Sequence, residues 1–116
     1  MRTVVIVLGL ATALIHLSLN FPPTIRPPEL LFTLNGLGYL ALVAAFAFDP
    51  PVVREHRRAL HYLFIAYTLV TILGWVAIGA RNVVGYTDKA VEIVLVLALW
   101  RHLRDLRAGS PVRGFR

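Results

Sequence analysis

Four long apolar runs alternate with short polar breaks along the chain, over 3–20, 30–48, 60–80 and 88–105. A membrane-spanning helix needs roughly 20 apolar residues, with about 17 as the lower limit. The pattern therefore predicts four helices crossing a bilayer. The fourth run is the least clean. Only Ile93–Trp100 is free of charge, and spanning requires Lys89 and Arg101 to snorkel outwards at its two ends.

The breaks carry the residues that stop helices. Phe21-Pro-Pro-Thr-Ile-Arg-Pro-Pro-Glu29 holds two proline pairs, which fix φ and remove backbone donors. Asp49-Pro50-Pro51 ends the second run and also reads forwards, as an N-cap followed by proline at the first helical position. On that reading a third helix starts near Pro50 and runs to Ala80, its first turns projecting into water. Arg81 to Thr87 is the last break, with Gly85 as a turn residue and Thr87 as N-cap of the fourth helix. Residues 1–107 form one domain, and 108–116, rich in helix-breaking residues, form a mobile tail. The first run follows Met1-Arg2 as a signal peptide would. Its small residues Ala11 and Ala13 fall inside the run rather than after it, so it reads as a first membrane helix.

Composition supports lipid as the solvent. The chain of 116 residues is 58% hydrophobic and 16% charged, against about 45–50% and about 25% for soluble domains. No cysteine is present, which excludes disulfides, thiolate metal sites and cysteine nucleophiles. The net charge of +6 does not point to nucleic acid, because the basic residues gather at particular ends of apolar runs. With four spans, Arg2, Arg54, Arg57, Arg58, Arg101, Arg104, Arg107, Arg113 and Arg116 lie on one side, and Arg26, Arg81 and Lys89 on the other. Nine against three sets the richer side, and both termini, in the cytoplasm. The expected fold is all-α: an up-down-up-down four-helix transmembrane bundle in the cell (inner) membrane.

The polar residues inside the runs cluster in depth. His16 lies four residues below Asn20, Asn35 six below Glu29, Trp75 five below Ala80 and Glu92 four below Asp88. At 1.5 Å per residue, all four sit roughly 6–9 Å inside the outer boundary. Gly9, Ala13, His16 and Asn20 share one stripe of the first helix, Asn35, Gly38, Ala41 and Ala45 one of the second, and Tyr67, Thr71, Gly74 and Trp75 one of the third. Glu92 projects from the same side as Asp88 and Lys89. Ionisable intramembrane residues face the bundle interior, so His16, Asn35 and Glu92 should converge. Two readings stand. Glu92 pairs with Lys89 or Arg81 while His16 and Asn35 join helices, or His16, Asn35, Trp75, Arg81 and Glu92 line an outward-facing ligand or proton site.

At the inner end, His61 and His102 come to one depth on antiparallel helices. They read as interfacial histidines, with a haem clamp as the alternative; no cofactor or metal is otherwise expected. Arg54, Arg57, Arg58, Arg101 and Arg104 form a basic rim suited to anionic headgroups. Trp100, Tyr62 and Tyr86 read as interfacial anchors. No phosphate loop, His-Glu-x-x-His or nucleophile elbow is present, so an enzyme is not expected. Small-residue seams without recognisable chemistry predict an accessory subunit that packs against a larger membrane complex or against its own copies. A carrier using the outer polar site and a haem- or quinone-binding subunit of an electron-transfer assembly are the alternatives.

Overall fold

A computed structural model describes residues 2–20, 24–26, 29–79 and 81–113, with side chains as far as Leu106. The proline pairs at 22–23 and 27–28, residues 114–116 of the expected tail and the side chains of Arg107 and Arg113 lie outside the described residues. The elements are α1 (Arg2–Ser18), α2 (Glu29–Phe48), the single turn α3 (Pro51–Arg54), α4 (Arg57–Ile78) and α5 (Val83–Arg113). No strand occurs among the described residues.

Four boundaries differ from those read in the sequence, three of them for a local reason. Asp49 does not cap the next helix. It ends α2 in the left-handed conformation, with φ of 51°, while its N–H still donates to the Ala45 carbonyl at 3.1 Å. Short polar side chains tolerate that conformation at the position after a helix. The Asp49 carboxylate is taken by Arg57, which donates through Nε at 3.3 Å and through Nη2, so α3 starts at Pro51 with Pro50 at its N-cap and no side-chain cap. The expected long third helix is broken accordingly: α3 stops at Arg54, Glu55 and His56 turn, and α4 starts afresh. At the last break, Asn82 rather than Thr87 is the cap. Its Oδ1 accepts the Gly85 N–H at 2.8 Å, and Asn is the stronger N-cap. Gly85 and Thr87 are therefore inside α5. That helix also continues to Arg113, past the point where the tail was expected to begin.

Helix α1 packs along α2 on one side and α5 on the other; α5 also packs on α4, and α2 meets α4 only lightly. Small residues permit the closest approach. A methyl group on Gly36 would meet Leu17 at 2.8 Å and the Ala13 carbonyl oxygen at 3.0 Å. Tyr39, Val43, Phe46, Phe64, Leu95 and Leu99 fill the centre.

The partition of residues is inverted relative to a water-soluble bundle. Thr12, His16, His61, Thr68, Asp88, Lys89 and Glu92 are buried. Leu14, Leu31, Leu63, Val70, Leu73 and Leu97 face outwards, each more than half exposed. By length and composition, α2 and α4 can each cross a membrane. Helix α1 is apolar but has only 17 residues, and α5 carries the buried charges.

Candidate functional site

Two polar centres lie on the buried stripe of α5, ten positions apart. The first joins α5 to α1 and α2. Asp88 and Glu92 are one turn apart and so face the same way. Opposite them, Thr12 and His16 are likewise one turn apart on α1. The Thr12 hydroxyl lies 2.7 Å from Asp88 Oδ1 and 3.0 Å from Glu92 Oε2. Tyr39 on α2 donates its O–H to Glu92 Oε2 at 2.9 Å. Lys89 Nζ closes the ring, donating to Glu92 Oε1 at 2.5 Å and to Asp88 Oδ2 at 3.1 Å. His16 Nδ1 donates to the Thr12 carbonyl at 2.8 Å. Its Nε2 then faces the two carboxyl groups, 3.5 Å from Asp88 Oδ2 and 3.9 Å from Glu92 Oε2. Glu92, Tyr39 and Thr12 are fully buried.

Two features of this cluster follow from counting. The Thr12 hydroxyl has one hydrogen and lies within bonding distance of two carboxyl groups. Either the one hydrogen is shared between them in a three-centre bond, or one carboxyl group carries its own proton and donates back to the hydroxyl oxygen. The charges favour an added proton: one ammonium against two carboxylates leaves an excess negative charge in an apolar core, and one further proton, on a carboxyl group or on His16 Nε2, removes it. The donor atoms of His16, Asp88 and Glu92 also lie within 4.8 Å of one another, as metal ligands would. Lys89 already occupies the cationic position beside both carboxyl groups.

The sequence-predicted site divides. His16 and Glu92 meet, together with Lys89. Asn35 stands beside them: its carbonyl accepts from Tyr67 at 2.9 Å and its Oδ1 from Thr71 at 3.4 Å, and Tyr67 stacks edge-on against Tyr39 at 4.9 Å. Trp75 and Arg81 are elsewhere, at the end of α4. The Arg81 guanidinium lies 4.1 Å over the Trp75 ring and donates to the Trp75 and Val76 carbonyls, with Tyr86 at 5.1 Å from Trp75. Arg81 caps a helix end and makes no pair with Glu92. Sequence reasoning missed Thr12 and Tyr39. Thr12 was findable, being one turn from His16 on the same stripe; Tyr39 reads as one more aromatic in an apolar run.

The second centre is the histidine pair. His61 Nδ1 lies 2.7 Å from the Arg57 carbonyl, which can only accept, so this nitrogen carries hydrogen. His61 Nε2 lies 2.7 Å from His102 Nδ1. With both rings neutral, His102 Nδ1–H is the donor and His102 Nε2 keeps a lone pair. The ring planes are parallel within 5°, side by side, and both rings meet Phe46 edge-on. A metal held between two imidazoles needs about 4 Å from nitrogen to nitrogen, so a haem clamp on these two rings requires them to part.

The basic rim surrounds this pair. Arg2 Nη2 donates to the Ala47 carbonyl at 2.6 Å. Arg54 Nε lies 3.8 Å from Asp49. The Arg57 hydrogen bond, helped by the charges of Arg57, Arg54 and Arg2, holds the Asp49 carboxyl below its ordinary value. Arg58, Arg101 and Arg104 are exposed and join neither centre.

A model of a family of unknown function (DUF7475) matches residues 1–101, a stretch that takes in the carboxyl cluster and His61 and stops one residue short of His102. No curated protein and no solved structure matches the chain.

Proposed function

The chain belongs to this family of unknown function, and from its geometry we propose a small non-enzymatic membrane protein, a carrier whose working part is a buried proton-holding cluster. The four long helices cross the inner membrane, with both termini in the cytoplasm and Thr12, His16, Tyr39, Asp88, Lys89 and Glu92 in the outer half. Exposed leucines around a charged interior support a lipid surround, because charge inside a membrane protein turns towards the bundle centre. The nine-to-three distribution of basic residues supports the orientation.

The observation that carries the reading is the single Thr12 hydroxyl between two carboxyl groups. It supports one mobile proton, held either by the carboxyl pair or by His16 Nε2. Moving it between them changes which groups are ionised without changing the net charge. A solute entering from outside would then couple to that proton.

The test uses proteoliposomes and infrared difference spectroscopy. The wild-type protein should show a protonated-carboxyl band that shifts in deuterium oxide, and acid-driven proton uptake. Glu92→Gln keeps the Tyr39 bond, so its melting temperature should stay near wild type while uptake falls about tenfold or more, the equivalent of ~1.4 kcal/mol. An unchanged band and unchanged uptake in Glu92→Gln reject the proposal.

A second reading, the accessory or self-assembling subunit, is favoured by one observation. Gly74 is exposed on α4 with nothing within 4 Å of the place its Cβ would take. Ala66 and Val70 precede it on the same outward face, the spacing at which a second membrane helix approaches closely.

A further inference from the structure

At the cytoplasmic-rim end, a cavity of about 270 Å³ is bounded by Arg2, Asp49, Arg57, His61 and His102, with Phe46, Leu60 and Leu106 as its apolar wall. It lies a full ten residues of α5 away from the carboxyl cluster, and the carrier reading makes no use of it. We propose that this cavity binds a phosphomonoester group in its singly protonated form.

Three properties of the cavity select that chemistry. The first is charge. Two guanidinium groups, Arg2 and Arg57, face one carboxylate, Asp49, which leaves one positive charge over. Arg57 is committed to Asp49, whereas Arg2 spends one N–H on the Ala47 carbonyl and has others of its five to offer. The occupant is an anion, and Arg2 is the group that recognises it, since guanidinium matches the oxygens of a phosphate.

The second is hydrogen-bond polarity. The chain of bonds from the Arg57 carbonyl through His61 to His102 fixes the neutral tautomers. Among the described residues, no group bonds His102 Nε2. A neutral His102 thus presents a lone pair, and the occupant must bring a donor. An ionised carboxylate has the charge without the hydrogen, and an un-ionised carboxylic acid the reverse. A phosphodiester has charge and no hydrogen on phosphorus oxygen. A phosphomonoester, whose second ionisation lies near pH ~6, carries both at once in its singly protonated form, which predominates below that pH.

The third is size and place. The volume lies just below the ~300–1,000 Å³ of pockets for drug-sized ligands and suits a headgroup rather than a larger solute. Anionic phosphate is concentrated at the cytoplasmic surface of a membrane. The same chemistry is available from a phosphomonoester lipid or from free phosphate.

The experiment separates these sources. Protein in phosphatidylcholine nanodiscs containing equal small fractions of phosphatidic acid (a monoester) and phosphatidylglycerol (a diester) is released into a mass spectrometer. In parallel, inorganic phosphate is titrated into lipid-matched protein and followed by phosphorus NMR. Retention of phosphatidic acid about tenfold above phosphatidylglycerol supports the proposal with a lipid source. Saturable inorganic phosphate binding without that retention supports it with a free source. Either signal should fall about tenfold in Arg2→Gln and in His102→Phe, and return in part in His102→Gln, which restores an acceptor. Circular dichroism melts confirm that each variant is folded. Equal retention of the two lipids with no phosphate binding, or signals untouched by Arg2→Gln and His102→Phe, overturns it.

Discussion

Asp49 connects three helices through one side chain. It closes α2 in the left-handed conformation, and its carboxylate then draws together Arg54 at the end of α3 and Arg57 at the start of α4. Because its folded-state acidity is strengthened, the contribution to stability is complete above the ordinary value of 3.8 and is lost as pH falls through the lower folded value. Melting temperature in detergent should therefore decline below about pH 4, and Asp49→Asn should flatten that decline. The pair is partly exposed, so the loss at neutral pH should be no more than about 1 kcal/mol. A variant whose acid profile overlays the wild type would remove Arg57 from this role. At this scale the sequence was partly legible. His16 and Glu92 were readable from depth and helical spacing, whereas Lys89, expected to snorkel outwards, is buried because two carboxyl groups on its own helix draw its ammonium inwards. Tyr39 was not, because nothing local distinguishes an aromatic ring that anchors at an interface from one that donates to a buried carboxyl group.

Glycines on α2 and α4 face opposite surroundings. On α2, Gly36 lies against backbone, with the Ala13 oxygen 3.0 Å from the place of an added methyl. Gly36→Ala should push α1 from α2 and cost ~1–3 kcal/mol, read as a lowered melting temperature. Gly74→Ala meets open space, so it should be neutral or gain up to ~1 kcal/mol from helix propensity. If a partner helix uses that face, Gly74→Leu should dissociate the assembly in cross-linking gels while leaving the melting temperature in place. Element existence was legible in hydropathy, and element ends were not. Asn82 and Asp49 chose their roles by side-chain partners several residues away, which a local reading of proline and glycine does not resolve. Cavity-facing Arg2 reads in the sequence only as a topology charge, since its neighbours come from α2, α4 and α5.

At the level of the whole molecule, the outward leucines and inward charges make orientation testable. The chain has no cysteine, so any introduced thiol is unique. Ile25 is 85% exposed and Val52 72% exposed, at opposite ends. In intact cells, Ile25→Cys should react with a membrane-impermeant maleimide, and Val52→Cys only after permeabilisation. The reverse pattern would invert the assigned orientation, and reaction of both before permeabilisation would deny a span between them. All-α architecture follows from periodicity. The meeting of residues 12 and 92 does not, because it depends on which helices become neighbours.

The join between Thr12 and His16 near the start of the chain and Asp88 and Glu92 near its end has a consequence for biosynthesis. Placed in lipid alone, α5 would carry three ionisable side chains, each costing several kcal/mol when unmatched. Lys89 pairs with Asp88 and Glu92 within α5 itself, and Thr12 and His16 on α1 supply further partners. On the membrane reading, α5 would therefore leave its second carboxyl group short of partners until α1 docks beside it.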